Sequence, residues 1–424
     1  MKKAGNEISS KNGSQADALN VIYTWNYLQW GGAQIYLLSI IRNAPSNWHF
    51  TLIIPKNSRP DLIKFFEPYG VEFVYVDASL YEEAANTVLS KIRRQWHRIR
   101  AEFAVYRELR KFDPASSMVH LDMPPWQSWI LLYLLTNRMH VFFTLHNAIS
   151  TTVAGWRAKI WRGRLNLLFK QPRFHVFAAN KNAIDSMRFY LDESDVDKIA
   201  LTRAAINPVE IDEVLESESD SKSLLEKHGL PADKFIVLCL GQFIDRKGRW
   251  IFLEAAREIL RQRNDIAFAW IGPRLPDENE LKRIEEYRLG PDFRYLLSEN
   301  IGTTRLEVLT FLRTADVFAL PSLWEGLPIS ILEAMALKVP TISTNVNAIP
   351  EALIDGETGI LVEPGSVEDL VAAILRIEGD PDIRKRLSER GREHVLAHFD
   401  EREAAKVALE HYARCFKCQI NVIG

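Results

Sequence analysis

Two carboxylates eight residues apart, Glu325 and Glu333, flank a junction where an apolar run gives way to a helical pattern. The run Asp316–Leu320 reads as a strand ending at Pro321, and Glu325 and Gly326 follow in a loop. Pro328 suits the first position of a helix reaching Leu337, where its missing N–H costs nothing. The free amides near Gly326 and Leu327, with the positive end of that helix, then form an anion site. Glu333 sits roughly 7–8 Å along the helix axis from Pro328. That spread fits a ligand carrying a sugar, a diphosphate and a ribose in line, with ribose hydroxyls donating to a carboxylate. A second reading makes Glu325 a helix cap and leaves Glu333 half-exposed. The apolar neighbours Ile331, Leu332, Ala334 and Met335 weigh against it, because an unpaired buried carboxylate is costly.

Three further groups fall at strand-to-helix junctions. Arg246 and Lys247 lie in the glycine-bounded loop Gly241–Gly248, where cations could neutralise a diphosphate leaving group. Alone, that loop also reads as a surface turn. Gly31 and Gly32, after Trp30, would let backbone approach a phosphate closely, or form an ordinary tight turn. His146, with Asn147, ends an apolar run and could bond sugar hydroxyls or handle a proton, although a lone histidine is more often structural. Asp195 and Asp197 lie in a polar, acidic loop and are not read as metal ligands. No metal or cofactor is expected.

The elements that must position these groups alternate between apolar runs and helical patterns, the signature of parallel α/β sheets. Strands are expected at Asn20–Thr24, His49–Ile54, Glu72–Val76, Met118–Leu121, His140–Leu145 and Phe174–Ala179, with a helix at Gln34–Arg42. In the second half, strands are expected at Phe235–Leu240, Ile266–Ile271, Asp316–Leu320 and Thr341–Thr344. Helices there are expected at Trp250–Arg261, Pro328–Leu337 and Val367–Ile377, with an amphipathic one at Glu401–Phe416. Asn207–Lys222 is acidic, serine-rich and reads as a linker. The implied division is a disordered tail over 1–17, domains over 18–208 and 209–398, and a terminal segment over 399–424.

The Glu325–Glu333 element with its Glu-Ala-Met-Ala ending, together with the run Ala348–Gly365, resembles the retaining family 4 glycosyltransferases, also called glycosyltransferase group 1. The resemblance is strong across about Phe235–Ile377 and weaker over the first half. It implies a GT-B fold: two Rossmann-like domains facing across a cleft, with a last helix crossing back to the first. It also implies retaining transfer of a sugar from a nucleotide-diphosphate-sugar, without a metal. By the resemblance, Glu333 holds the ribose, Glu325 lies near the donor sugar, and Lys247 with Arg246 meets the phosphates. The Gly31-Gly32 loop closes over them, and His146 lies near the reacting sugar. Two positions depart from the family pattern. Gln242 stands where an arginine is common, and Ala204-Ala205-Ile206-Asn207 stands where Asn-Gly-Ile-Asp is common. A non-catalytic nucleotide-sugar or polyanion binder is the alternative those departures leave. A retaining glycosidase also needs paired carboxylates, but has no use for a phosphate cradle.

Charge narrows the partners. The 424 residues are nearly neutral overall, but the chain to Pro208 carries about +9 and the remainder about −11. Basic residues cluster at Lys91–Lys111 and at Arg157–Arg173, the second cluster with Trp156 and Trp161 and no acid. Basic plus aromatic suits an anionic membrane surface or a lipid diphosphate, or else is a solvated helix face. No recognisable reader motif supports nucleic acid. Trp129–Leu135 is too short to span a membrane and reads as a buried helix. Three cysteines indicate no disulfide framework, and Cys415 with Cys418 supplies too few ligands for zinc. The expectation is a cytoplasmic enzyme peripheral to the membrane, acting on a lipid-linked or saccharide acceptor in cell-surface polysaccharide or glycolipid synthesis.

Overall fold

The computed structural model describes residues 18–24, 31–58, 63–77 and 87–423, with side chains to residue 417. The expected tail over 1–17, Trp30 and the side chain of Cys418 lie outside the described residues.

Thirteen strands are described. Seven are β1 (Asn20–Thr24), β2 (His49–Pro55), β3 (Glu72–Val76), β4 (Ser117–Leu121), β5 (Val141–Leu145), β6 (Phe174–Ala178) and β7 (Ala200–Leu201). They form a parallel sheet ordered β3-β2-β1-β4-β5-β6-β7. The other six are β8 (Phe235–Leu240), β9 (Ile266–Gly272), β10 (Phe293–Leu297), β11 (Val317–Leu320), β12 (Thr341–Thr344) and β13 (Ile360–Val362). Their parallel sheet is ordered β10-β9-β8-β11-β12-β13. Each sheet runs outward one way from its first strand, then reverses between its first strand and the fourth. Ligands bind beyond the carboxyl ends of strands at such a reversal. Strands β4 and β9 are buried along their whole length, and β9 reads as a continuous apolar run for that reason.

Helices used below are α1 (Gly32–Arg42), α2 (Val88–Leu109), α3 (Trp129–Thr136), α4 (Gly155–Phe169), α5 (Lys181–Met187), α6 (Pro208–Glu216), α7 (Arg305–Leu312), α8 (Ile329–Ala336) and α9 (Glu401–Ile423). The expected linker is instead largely helical. Asn207 caps α6, accepting from the Val209 amide, and Pro208 takes the first position. Ile211 and Val214 are fully buried. Of the segment's acidic residues, Glu210 pairs with Arg42 of the first half and Arg305 of the second, and Asp212 pairs with Arg392, while Glu213, Glu216, Glu218 and Asp220 are exposed. Asp195 is likewise in a helical turn, Glu193–Val196, and pairs with Lys198 at 2.6 Å. Helix α3 is only half-buried, with Ile130 and Leu134 exposed.

The last helix belongs to the first sheet. Ala405, Ala408, Tyr412 and Phe416 join Val21, Leu52, Phe142 and Phe177 in one buried cluster. The Tyr412 hydroxyl bonds Tyr23 at 2.7 Å and His120 Nδ1 at 2.5 Å, so the ring is buried with its polar end satisfied. The chain thus crosses between the sheets twice, and the two crossings touch. Ile206 donates to Phe399 O and accepts from the Glu401 amide, each at 2.9 Å.

Candidate functional site

Arg246, Lys247 and Glu325 form one cluster. The β8 loop reaches the β11 loop because Gly248 sits at φ +74°, where an added Cβ would lie 1.8 Å from Pro321 O. Only glycine allows that approach. The Arg246 carbonyl then accepts from the Leu323 amide at 2.7 Å. Lys247 Nζ lies 2.6 Å from Glu325 Oε1, and Arg246 Nη1 lies 3.0 Å from Oε2. Ser322 Oγ donates to Glu325 Oε1, and Asn347 Oδ1 accepts from the Glu325 amide. Sequence reasoning expected two cations for a diphosphate; both are paired with one carboxylate, leaving the trio a single positive charge. Lys247 and Glu325 are buried, while Arg246 remains part-exposed.

Two helix starts meet across the cleft. Pro328 is the cap of α8 rather than its first residue, because its ψ of 121° is extended. On the other side, Gly32 opens α1 behind the extended Gly31. A Cβ on Gly32 would lie 3.7 Å from Ile329 Cδ1, so the first turns of α1 and α8 abut. Nearby, a Cβ on Gly326 would lie 2.3 Å from the His146 carbonyl oxygen. That carbonyl also accepts from Asn180 Nδ2 at 3.0 Å. Leu327 is buried in the core of the second sheet. The His146 ring stands edge-on to Tyr36 at 5.3 Å, and burial lowers its pKa to about 4. At neutral pH it is an uncharged imidazole, able to bond a hydroxyl without adding charge.

Glu333 lies apart from the trio, in a chain of charges that sequence reasoning missed. It meets the Arg305 guanidinium of α7, although its buried Oε1 makes no aligned hydrogen bond. Arg305 Nε continues to Glu210 of α6 at 2.9 Å, Glu210 to Arg42 of α1 at 2.8 Å, and Arg42 to Glu401 of α9 at 2.9 Å. Three carboxylates face two guanidiniums, one negative charge in excess. Burial raises the pKa of Glu333, with Arg305 opposing it. Nothing local in the sequence singles out Arg42, Glu210 or Arg305; only the fold assembles them.

Asp122, at the end of β4, was also missed. With Tyr36, His120, Thr144 and His146 it lines a cavity of about 30 Å³ at the reversal of the first sheet. Burial pushes its carboxyl up to about 7, and Oδ2 has no hydrogen-bond partner among the described residues. A buried, unsatisfied oxygen facing a cavity is a position that a hydroxyl or water would fill.

The comparisons with known proteins agree with this architecture. Residues 220–394 match the model for "Glycosyl transferases group 1". The chain is 31% identical over 176 residues to alpha-D-kanosaminyltransferase of Streptomyces kanamyceticus, covering 41% of this chain and 44% of that protein. It is 30% identical over 155 residues to the UDP-Gal:alpha-D-GlcNAc-diphosphoundecaprenol alpha-1,3-galactosyltransferase of Escherichia coli, covering 36% and 38%. The matched part thus spans less than half the length of these curated relatives. The structure of Alr3699/HepE from Anabaena in complex with UDP and glucose superposes with a TM-score of 0.73 at 14% identity, covering 93% of this chain and 100% of that one. Residues 220–394 are thus similar to the glycosyl transferases group 1 model, within a chain built throughout as a GT-B fold.

Proposed function

We propose that the chain moves a sugar from a nucleotide-diphosphate-sugar to an acceptor hydroxyl with retention of configuration. One observation carries the reading: the starts of α1 and α8, from opposite halves, abut beside the Lys247–Glu325–Arg246 cluster. Two positive helix ends and a net positive trio make a site for a diphosphate. The acceptor oxygen bonds to the anomeric carbon as the carbon–phosphate-oxygen bond breaks, on one face of the sugar. The electron pair stays on the diphosphate, whose oxygen takes the acceptor's proton. Lys247, Arg246 and the amides from Gly326 into α8 hold that developing charge, in the role a metal would otherwise fill. Gly31 and Gly32 cover the phosphates, His146 bonds the sugar, and Glu333 accepts from the ribose. HepE, crystallised with UDP and glucose, supports a nucleotide-sugar donor.

The test begins with donor binding. Glu333→Gln preserves shape and removes the charge. The ribose contact predicts a loss of about 1.5–3 kcal/mol, roughly ten- to hundredfold in the Kd for a nucleoside diphosphate. Calorimetric titration against UDP and GDP measures it. An unchanged Kd removes Glu333 from the ribose site. Tight donor binding without turnover, in EDTA or with added Mg2+, would favour the non-catalytic binder.

The acceptor we infer is lipid-linked, reached by docking on anionic membrane. The lipid diphosphate in the name of the Escherichia coli relative supports this, as does the surface of the first half. Helices α2, α3 and α4 pack side by side. They leave Ile92, Trp96, Ile99, Phe103, Ile130 and Trp156 between 52% and 67% exposed. Lys91, Arg93, Arg94 and Arg100 flank that strip on α2. The Trp156–Arg173 segment contributes less than its sequence suggested, because Trp161 packs against Trp126 and Tyr190. No described helix is long and apolar enough to cross a membrane. Each basic residue near an anionic surface is worth about 1 kcal/mol. Co-sedimentation with anionic vesicles, weakening with salt and absent with neutral vesicles, is the expected result. Equal, negligible binding to both, with the strip buried in a dimer, overturns it.

A further inference from the structure

At the opposite end of β5 from His146, roughly 20 Å along the strand, three soft donor atoms converge from separate elements. His140 precedes β5, His175 is the second residue of β6, and Cys415 lies on α9. His140 Nδ1 and His175 Nε2 are 2.8 Å apart, Cys415 Sγ is 3.5 Å from His175 Nε2, and all three atoms lie within 4.8 Å of one another. Zinc–nitrogen and zinc–sulfur bonds of ~2.0–2.1 and ~2.3 Å in a tetrahedron place ligand atoms about 3.3–3.6 Å apart. The observed separations bracket that range, so small side-chain rotations would seat an ion.

We propose that His140, His175 and Cys415 form a binding site for a thiophilic divalent cation, zinc above all, that ties the last helix to the first sheet. Both imidazoles are pushed down by burial, His140 to about 4 and His175 to about 3, so each keeps a lone pair at neutral pH. The Arg173 guanidinium beside His140 opposes a cation. Ionisation of the Cys415 thiol on binding offsets that charge. Cys415, whose Cys-x-x-Cys spacing alone offers zinc too few ligands, gains one histidine from before β5 and one from β6. The fourth position remains for water or another donor. The site lies away from the cleft, so it bears on how α9 is held and not on the transfer step.

The competing account is a histidine pair sharing one proton beside a thiol, with no ion. Cobalt titration of the chelator-stripped full chain separates the two. Expected are visible bands of tetrahedral Co2+ and a near-ultraviolet thiolate charge-transfer band, saturating at one ion per chain and displaced by Zn2+. Zn2+ also raises the melting temperature of the stripped wild type. Cys415→Ser removes the charge-transfer band, and His175→Gln weakens Zn2+ binding about tenfold or more. No charge-transfer band in the wild type overturns the proposal, whatever the variants do. So does a band that survives Cys415→Ser and disappears with Cys418→Ser.

Discussion

Replacing Lys247 by methionine lowers kcat by roughly 10²–10³-fold, the cost of losing one donor aimed at developing charge. The ammonium sits where the loops after β8 and β11 meet, 2.6 Å from Glu325. Methionine keeps the volume and removes the charge. The complication is stability: of its two cations Glu325 then keeps only the part-exposed Arg246, and breaking a buried ion pair typically costs about 3–5 kcal/mol. The double variant Lys247→Met/Glu325→Gln resolves it, because it removes both charges and should recover much of the melting temperature. Turnover stays low in the double variant if Lys247 serves the leaving group. Recovery of turnover together with stability would show that Lys247 only holds the loop. Initial rates with a confirmed donor, beside thermal unfolding of all three variants, decide the point.

Gly326→Ala acts on the approach of the two halves. Its new methyl would lie 2.3 Å from the His146 carbonyl oxygen and 2.7 Å from Asn147 Oδ1. Asn147 can swing away, but the carbonyl belongs to backbone anchored by Asn180. The relief is to widen the cleft, and a displacement near 1 Å at a reacting centre can cost about 10²-fold. The expected result is a kcat/KM lowered about a hundredfold or more, with nucleotide affinity weakened less, because the second half still presents α8 and Glu333 while the α1 start is drawn back. An equal loss of nucleotide binding would place the defect inside the second half instead.

The second half was the more legible. Its diagnostic residues are close in sequence, since one strand, loop and helix carry Glu325, Gly326, Leu327 and Glu333. Burial made β8 and β9 plain apolar runs, whereas β7, β10 and β13 are short or carry a polar interruption such as Arg294. Contacts between the halves were not legible. Glu210 looked like linker because its charge is used at long range, bonding residues 168 and 95 positions away. The pairing of Glu325 with both cations was invisible for the same reason: sequence places charges near one another without saying which ones neutralise. His140, His175 and Cys415 are ordinary residues until a sheet and a returning helix bring them together.

The returning helix also sets an order of assembly. Tyr23 and Tyr412 share a hydrogen bond across 389 positions of chain. At about 5–20 residues per second, a ribosome needs roughly 20–80 s to travel between them. For more than half of that interval the face of the first sheet holding Val21, Leu52, Phe142 and Phe177 has α1 over it but not α9, although its strands have emerged. The second sheet has no such debt, because its strands and the helices over them are complete before residue 400 is made. The half begun first is therefore the half finished last, and the nascent protein must keep an apolar surface from other chains until its final turns of helix arrive.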